Sequence, residues 1–197
     1  MCAVTNSNVK VKRGIMGYSD KDIERVLFSE ETIAARIKEL GAQITADYAD
    51  KNLLLACTLR GASVFMCDLM REIDLPLEID FMACSSYGTG RETTGVVKIQ
   101  KDLNTDIVGR DVLIIEDILD SGITLEYLLR TLSKRNPRSL RVACLLRKEG
   151  AQRVNVKCDY VGFECPLEFV VGYGLDFAQS YRNLPYIGVL KPEVYGA

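Results

Sequence analysis

Between residues 29 and 146, short apolar runs alternate with amphipathic stretches, and that order leaves few folds open. Ser29 can cap a helix whose first turn carries Glu30 and Glu31, acids favoured at a helix N-terminus. Ile33, Ile37, Leu40, Ile44 and Tyr48 then recur at three- and four-residue spacing as one apolar stripe, which Gly41 weakens without ending. Leu53–Cys57 reads as a short buried strand, followed by the turn Thr58-Leu59-Arg60-Gly61. A second helix is predicted over 62–73, with Val64, Phe65, Leu69 and Ile73 on one side. Strands are predicted near 77–84, 96–99, 112–115 and 141–146. A helix over 123–135 is stopped by Asn136-Pro137. The last fifty residues alternate short apolar runs with Gly, Pro and Asp. The succession predicts an α/β fold with a parallel sheet and crossover helices. In such sheets ligands bind at the carboxyl ends of the strands.

Composition removes whole classes of chemistry. The 197 residues contain no His. Ser-His and Cys-His catalytic pairs and imidazole metal ligands are therefore excluded. Carboxylates, Lys, Tyr, hydroxyls, backbone amides or an oxygen-ligated metal must do the work. A formal charge of −2 gives no bulk attraction to nucleic acid or to an anionic membrane. Leu53–Cys57, as long as any apolar run in the sequence, is far short of the ~20 residues that span a bilayer. Residues 1–13 (MCAVTNSNVKVKR) have no apolar core, so no secretory signal is expected. The seven Cys form no C-x-x-C pair, and four of them (Cys57, Cys67, Cys84, Cys144) fall in apolar patterns. They are expected to be small buried hydrophobes in a reducing cytoplasm.

The strand predicted at 112–115 is followed by Glu116-Asp117-Ile118-Leu119-Asp120-Ser121-Gly122-Ile123-Thr124, and then by a helix. Two adjacent carboxylates at a strand end can hold a hydrated Mg²⁺ or grip a diol. A Gly/Ser/Thr turn at a helix N-terminus offers free N–H groups to a phosphate. Side by side, they suit a sugar phosphate. A plainer reading stays open on spacing alone, in which the acids end a strand and Asp120 caps the helix. A P-loop ATPase would need a Gly-Lys pair, and the sequence has none.

The run VLIIEDILDSGIT closely resembles the phosphoribosyl pyrophosphate motif of type I phosphoribosyltransferases. Leu59-Arg60-Gly61, Ser85-Ser86-Tyr87, Arg147-Lys148, Phe163-Glu164 and FVVGYGLD (169–176) narrow the resemblance to the hypoxanthine-guanine branch. It extends from about residue 20 to 190. The resemblance implies the type I phosphoribosyltransferase fold, a mostly parallel twisted sheet flanked by helices with a small hood formed by terminal segments. One domain over 1–197 is implied, with its core over 30–150. The hood would come from N-terminal residues and from 155–190, and a mobile flap from 85–98.

The resemblance also implies roles. Glu116 and Asp117 match the pair that engages the ribose hydroxyls, directly or through Mg²⁺. Asp120 matches the general base at purine N7, and Ser121, Gly122, Ile123 and Thr124 match the 5′-phosphate cradle. Some relatives carry Lys at the place of Ile123, so here the amides and hydroxyls must hold the phosphate. Leu59, Arg60 and Gly61 match the diphosphate loop, which in the family often contains a non-proline cis peptide, and Arg182 matches a cation reaching the diphosphate. Lys148 matches the donor to purine O6, Phe169 the ring that stacks on the base, Val170 a backbone contact to the purine edge, and Asp176 a ligand of a second Mg²⁺. Read without the family, Phe169 is a core aromatic, Arg60 a solvated turn residue and Arg182 a lone surface cation.

The segment SSYGTGRETTG (85–95) contains G-x-G but links two strand-like runs and opens no helix. A flap with Ser86 and Tyr87 closing over the substrates fits better than a phosphate loop. The implied reaction joins hypoxanthine or guanine to 5-phosphoribosyl diphosphate, giving IMP or GMP and diphosphate, in a cytoplasmic homodimer or homotetramer. A nucleotide-binding regulator of the same fold, and a transferase for xanthine, adenine, orotate or uracil, are the rival readings.

Overall fold

The computed structural model describes residues 21–86 and 97–196. Its first strand, β1 (Ile23–Phe28), leads into α1 (Glu30–Asp47). Ser29 caps α1 by accepting the Thr32 N–H at 3.2 Å, and the predicted stripe from Ile33 to Tyr48 is buried. β2 (Leu53–Leu59) is buried along nearly its whole length. α2 follows at Ala62–Leu69, four residues shorter than the predicted 62–73. Beyond Leu69 the chain tightens into three-residue turns, Arg71 N–H to Asp68 C=O and Glu72 N–H to Leu69 C=O, and leaves the helix.

β3 (Leu77–Ser86) and β4 (Val97–Lys101) pair antiparallel, with Ser86 opposite Val97. The glycine-rich segment therefore joins two neighbouring strands, and its residues 87–96 lie outside those described. β5 (Asp111–Leu119) runs past the predicted 112–115, so that Glu116 and Asp117 sit on the strand itself. α3 (Ile123–Ser133) and β6 (Ser139–Lys148) follow, then β7 (Tyr160–Cys165), β8 (Val170–Val171), β9 (Ile187–Leu190) and α4 (Pro192–Tyr195).

Six strands form the larger sheet in the order β4-β3-β2-β5-β6-β7, parallel except for β4. α1 and α2 pack one hydrophobic cluster against β2, β5 and β6. The α3 residues Leu125, Leu128 and Leu132 belong to a second cluster with Leu54, Ile114 and Val142. Alternate residues of the buried strands thus feed opposite faces. A smaller antiparallel sheet, β1-β9-β8, joins the early strand to the C-terminal region and carries its own cluster around Val171, Tyr181, Leu184 and Leu190. β7, within the span expected for the hood, pairs with β6 in the larger sheet. Among the described residues no helix is long and apolar enough to cross a membrane.

Candidate active site

The carboxyl ends of β2, β3 and β5 meet at a cleft of about 220 Å³ lined by Thr58, Leu59, Arg60, Gly61, Cys84, Glu116, Asp117, Ile118 and Thr124. The acidic pair and the predicted diphosphate loop therefore share one wall. The Leu59–Arg60 peptide is cis. Gly61 touches the acid pair so closely that a Cβ there would lie 1.6 Å from Asp117 Oδ2. Its other neighbour is the FVVGYGLD segment, because a Cβ on Gly174 would lie 2.2 Å from the Gly61 carbonyl oxygen, at a φ of +98°. Only glycine fits such a contact at such a backbone angle. Two motifs more than a hundred residues apart thus meet backbone to backbone.

The Thr58 hydroxyl donates to the Ile115 carbonyl at 2.7 Å, and Glu116 Oε2 is its second partner. Burial, and behind it the charge of Asp117, pushes the Glu116 carboxyl up to about 8, against the Thr58 hydrogen bond. Burial raises Asp117 as well, opposed by the Ile118 N–H (2.8 Å to Oδ1) and by Arg182. Two acids forced together in this way concentrate negative potential that a hard cation relieves. Among the described residues no three Cys, Asp or Glu side chains converge as a closed metal cage. A Mg²⁺ held here would share its shell with water and substrate oxygens, the arrangement that ion favours. The donor set fits Mg²⁺.

Beyond β5 the chain turns through Asp120 and Ser121 to Gly122, which occupies the N-cap of α3 at φ +80° and makes no side-chain cap. The plainer reading of Asp120 as helix cap is therefore overturned. Its exposed carboxylate instead lies 3.9 Å from Lys148 Nζ, at the end of the neighbouring strand β6. The turn predicted as the phosphate cradle is braced from behind, where the Arg153 and Val154 N–H groups both donate to the Ser121 carbonyl at 3.0 and 3.3 Å.

Arg182 pairs with Asp176 at 2.6 Å and donates to the Gly174 carbonyl at 2.7 Å. Gln179 joins the two predicted diphosphate cations, since its Oε1 accepts from Arg60 (2.9 Å) and Arg182 (3.2 Å) while its own N–H donates to Asp176 (2.8 Å). Sequence reasoning missed Gln179 and the bond from Thr58 to Glu116. Nothing in a single sequence marks a Gln on an irregular segment as the bridge between two Arg.

Phe169 belongs to the small-sheet region, not to the cleft wall. The residue is 36% exposed, and its ring stacks on Tyr195 at 4.9 Å and meets Phe177 edge-on at 5.7 Å. The adjacent Val170 has a buried side chain and pairs with Val189 in the small sheet. Ser86 ends β3, and Tyr87 lies outside the described residues.

Comparison with known proteins agrees with this geometry. The family model "Phosphoribosyl transferase domain" matches residues 27–178. The chain is 55% identical over 174 residues to the hypoxanthine-guanine phosphoribosyltransferase of Bacillus subtilis, covering 88% of this chain and 97% of that protein. It is 54% identical to the bifunctional protein TilS/HprT of Listeria innocua, of which it spans only 27%. A crystal structure of a Staphylococcus aureus hypoxanthine phosphoribosyltransferase superposes with a TM-score of 0.86 at 51% identity, over 89% of this chain and 95% of that one. With the acid pair, the helix-end turn and the predicted diphosphate loop gathered at the strand ends, the chain belongs to the hypoxanthine-guanine branch of the phosphoribosyltransferase family.

Proposed function

We propose that this protein is a Mg²⁺-dependent purine-salvage transferase that converts hypoxanthine or guanine plus 5-phosphoribosyl diphosphate into IMP or GMP plus diphosphate. The observation that carries the reading is the pairing of Asp120 with Lys148 at 3.9 Å. A 6-oxopurine presents N7–H and O6 on one edge, a donor beside an acceptor. A carboxylate beside an ammonium is the complement of that edge. Asp120 accepts the N7 proton as N9 attacks C1′ of the ribose. Lys148, a donor only, bonds O6. Adenine places an amino group there and leaves Lys148 facing a donor.

The other roles are those the family resemblance implies. Glu116 and Asp117 hold the ribose hydroxyls. Ser121, Gly122, Ile123 and Thr124 receive the 5′-phosphate at the N-terminus of the eleven-residue α3. Leu59, Arg60, Gly61 and Arg182 hold the departing diphosphate. Phe169 stacks on the base and the Val170 backbone reads its edge, while Ser86 and Tyr87 belong to a flap that excludes water. Mg²⁺ bound at Glu116 and Asp117 would neutralise the diphosphate leaving group. A second ion would have to share Asp176 with Arg182 and the Gln179 N–H. The protein works in the cytoplasm as a homodimer or homotetramer, without nucleic acid or membrane partners.

A steady-state assay with hypoxanthine, guanine, xanthine and adenine tests the reading. Nucleotide should form from hypoxanthine or guanine and not from adenine, EDTA should abolish turnover, and Mg²⁺ should restore it. Equal use of adenine, or turnover without metal, would overturn it.

A further inference from the structure

Cys144 and Cys158 take no part in the chemistry above. Cys144 lies on β6, four residues before Lys148, and is fully buried. Cys158 lies two residues before β7, is half-buried, and borders an open cleft of about 510 Å³ with Arg147, Gln152 and Lys157. Their sulfurs are 2.9 Å apart. Contacts from Cys158 Sγ to the carbonyls of Tyr160 (3.2 Å) and Val142 (3.7 Å) hold that sulfur against its neighbour. Among the described residues no other two thiols are in contact.

We infer that Cys144 and Cys158 form a reversible intramolecular disulfide when the protein meets a peroxide. A disulfide needs its sulfurs about 2.05 Å apart, so a closure of about 0.9 Å completes the bond from the observed 2.9 Å. Cys158 faces the open cleft and reacts first. As its thiolate attacks a peroxide oxygen, an S–O bond forms and the O–O bond breaks. The released hydroxide takes up the proton that Cys158 lost and leaves as water. Cys144 then attacks the resulting sulfenic sulfur, the S–S bond forms, the S–O bond breaks, and a second water leaves with the proton of Cys144. Two thiols give up two electrons, and hydrogen peroxide is reduced to two waters.

The cross-link closes the connection that supports the active site. Between the two cysteines lie Lys148 and then Arg153 and Val154, whose amides brace the Ser121 carbonyl. The Val154 carbonyl also sits 2.7 Å from where a Cβ on Gly122 would be. Oxidation therefore clamps the segment on which the phosphate cradle rests.

The test uses the reduced full-length protein, treated with hydrogen peroxide, alkylated, digested and analysed by mass spectrometry. The expected product is one peptide pair joined through Cys144 and Cys158, two hydrogens lighter than the free peptides and separated again by dithiothreitol. Amide exchange at Arg153 and Val154 should slow on oxidation. Cys158→Ser should lose the cross-link while keeping its turnover in the absence of peroxide. Cys144→Ser should accumulate a dimedone-reactive sulfenic acid on Cys158. Recovery of Cys158 as sulfinic acid beside an alkylated Cys144 in the wild type, or a link through the exposed Cys67, would overturn the pairing. Unchanged exchange at Arg153 and Val154 would overturn the clamp.

Discussion

At Gly61 the absence of a side chain keeps the Arg60 turn beside Asp117. A methyl group there would overlap Asp117 Oδ2, so either the turn or the carboxylate must move by an ångström or more. Displacements of that size cost on the order of 100-fold in rate. Gly61→Ala should therefore lower kcat/KM for phosphoribosyl diphosphate by about two orders of magnitude with the fold intact by circular dichroism. Asp120→Asn makes the complementary case: its exposed side chain supports no packing, so stability should not change. If it is the base, kcat should drop by roughly 10²–10⁴-fold while phosphoribosyl diphosphate still binds. Unchanged turnover would remove Asp120 from that role. Asp120 and Lys148 could be singled out from sequence because each sits in a short contiguous motif that the family resemblance covers. Gln179 could not, because its bond to Arg60 joins residues 119 apart in sequence, across two loops whose meeting no local pattern encodes.

Among the elements, α1 could be read almost residue for residue, because cap, acidic first turn and apolar stripe all agree. β5 could be read only to Ile115. Periodicity stops at the first charge, whereas the ladder continues through Glu116 opposite Cys144 to Leu119 opposite Arg147. β1 and β8 escaped for a different reason: β1 is largely exposed, and β8 has two residues, so neither carries a hydrophobic rhythm of its own. The short α4 brings Tyr195 onto the ring of Phe169. Aromatic stacks of this kind contribute about 0.5–1.5 kcal/mol beyond buried area. If Phe169 carries the purine, Tyr195→Ala should raise the purine KM roughly three- to tenfold. The KM for phosphoribosyl diphosphate should stay fixed, and Tyr195→Phe should restore the purine value. A parallel rise in both constants would show a general loss of structure instead.

For the molecule as a whole, the missing imidazole means that acid sensitivity resides in carboxylates. Burial opposes ionisation of Asp80, but the N–H groups of Thr105, Phe81 and Asn104 outweigh it and hold the carboxyl below its usual range. Because the folded state binds that proton less readily than the unfolded one, the contribution is complete above about pH 4 and vanishes as pH falls through the folded value. Asp80→Asn should thus be about 2 kcal/mol less stable than wild type at neutral pH, with the gap closing in acid, as urea unfolding at a series of pH values would show. A gap independent of pH would mean that shape, not charge, matters at that position. The contact of Gly61 with Gly174 has a consequence on the same scale. It is a seam between the large sheet and the terminal region, with Arg60 on one side and Arg182 on the other. A diphosphate that grips both cations can bind only while the seam is shut. Each tenfold rise in its concentration above the dissociation constant therefore adds about 1.4 kcal/mol to the work of lifting the terminal region away. If Arg60 and Arg182 hold the diphosphate as proposed, the leaving group acts as a latch on this seam, and its departure removes that extra work.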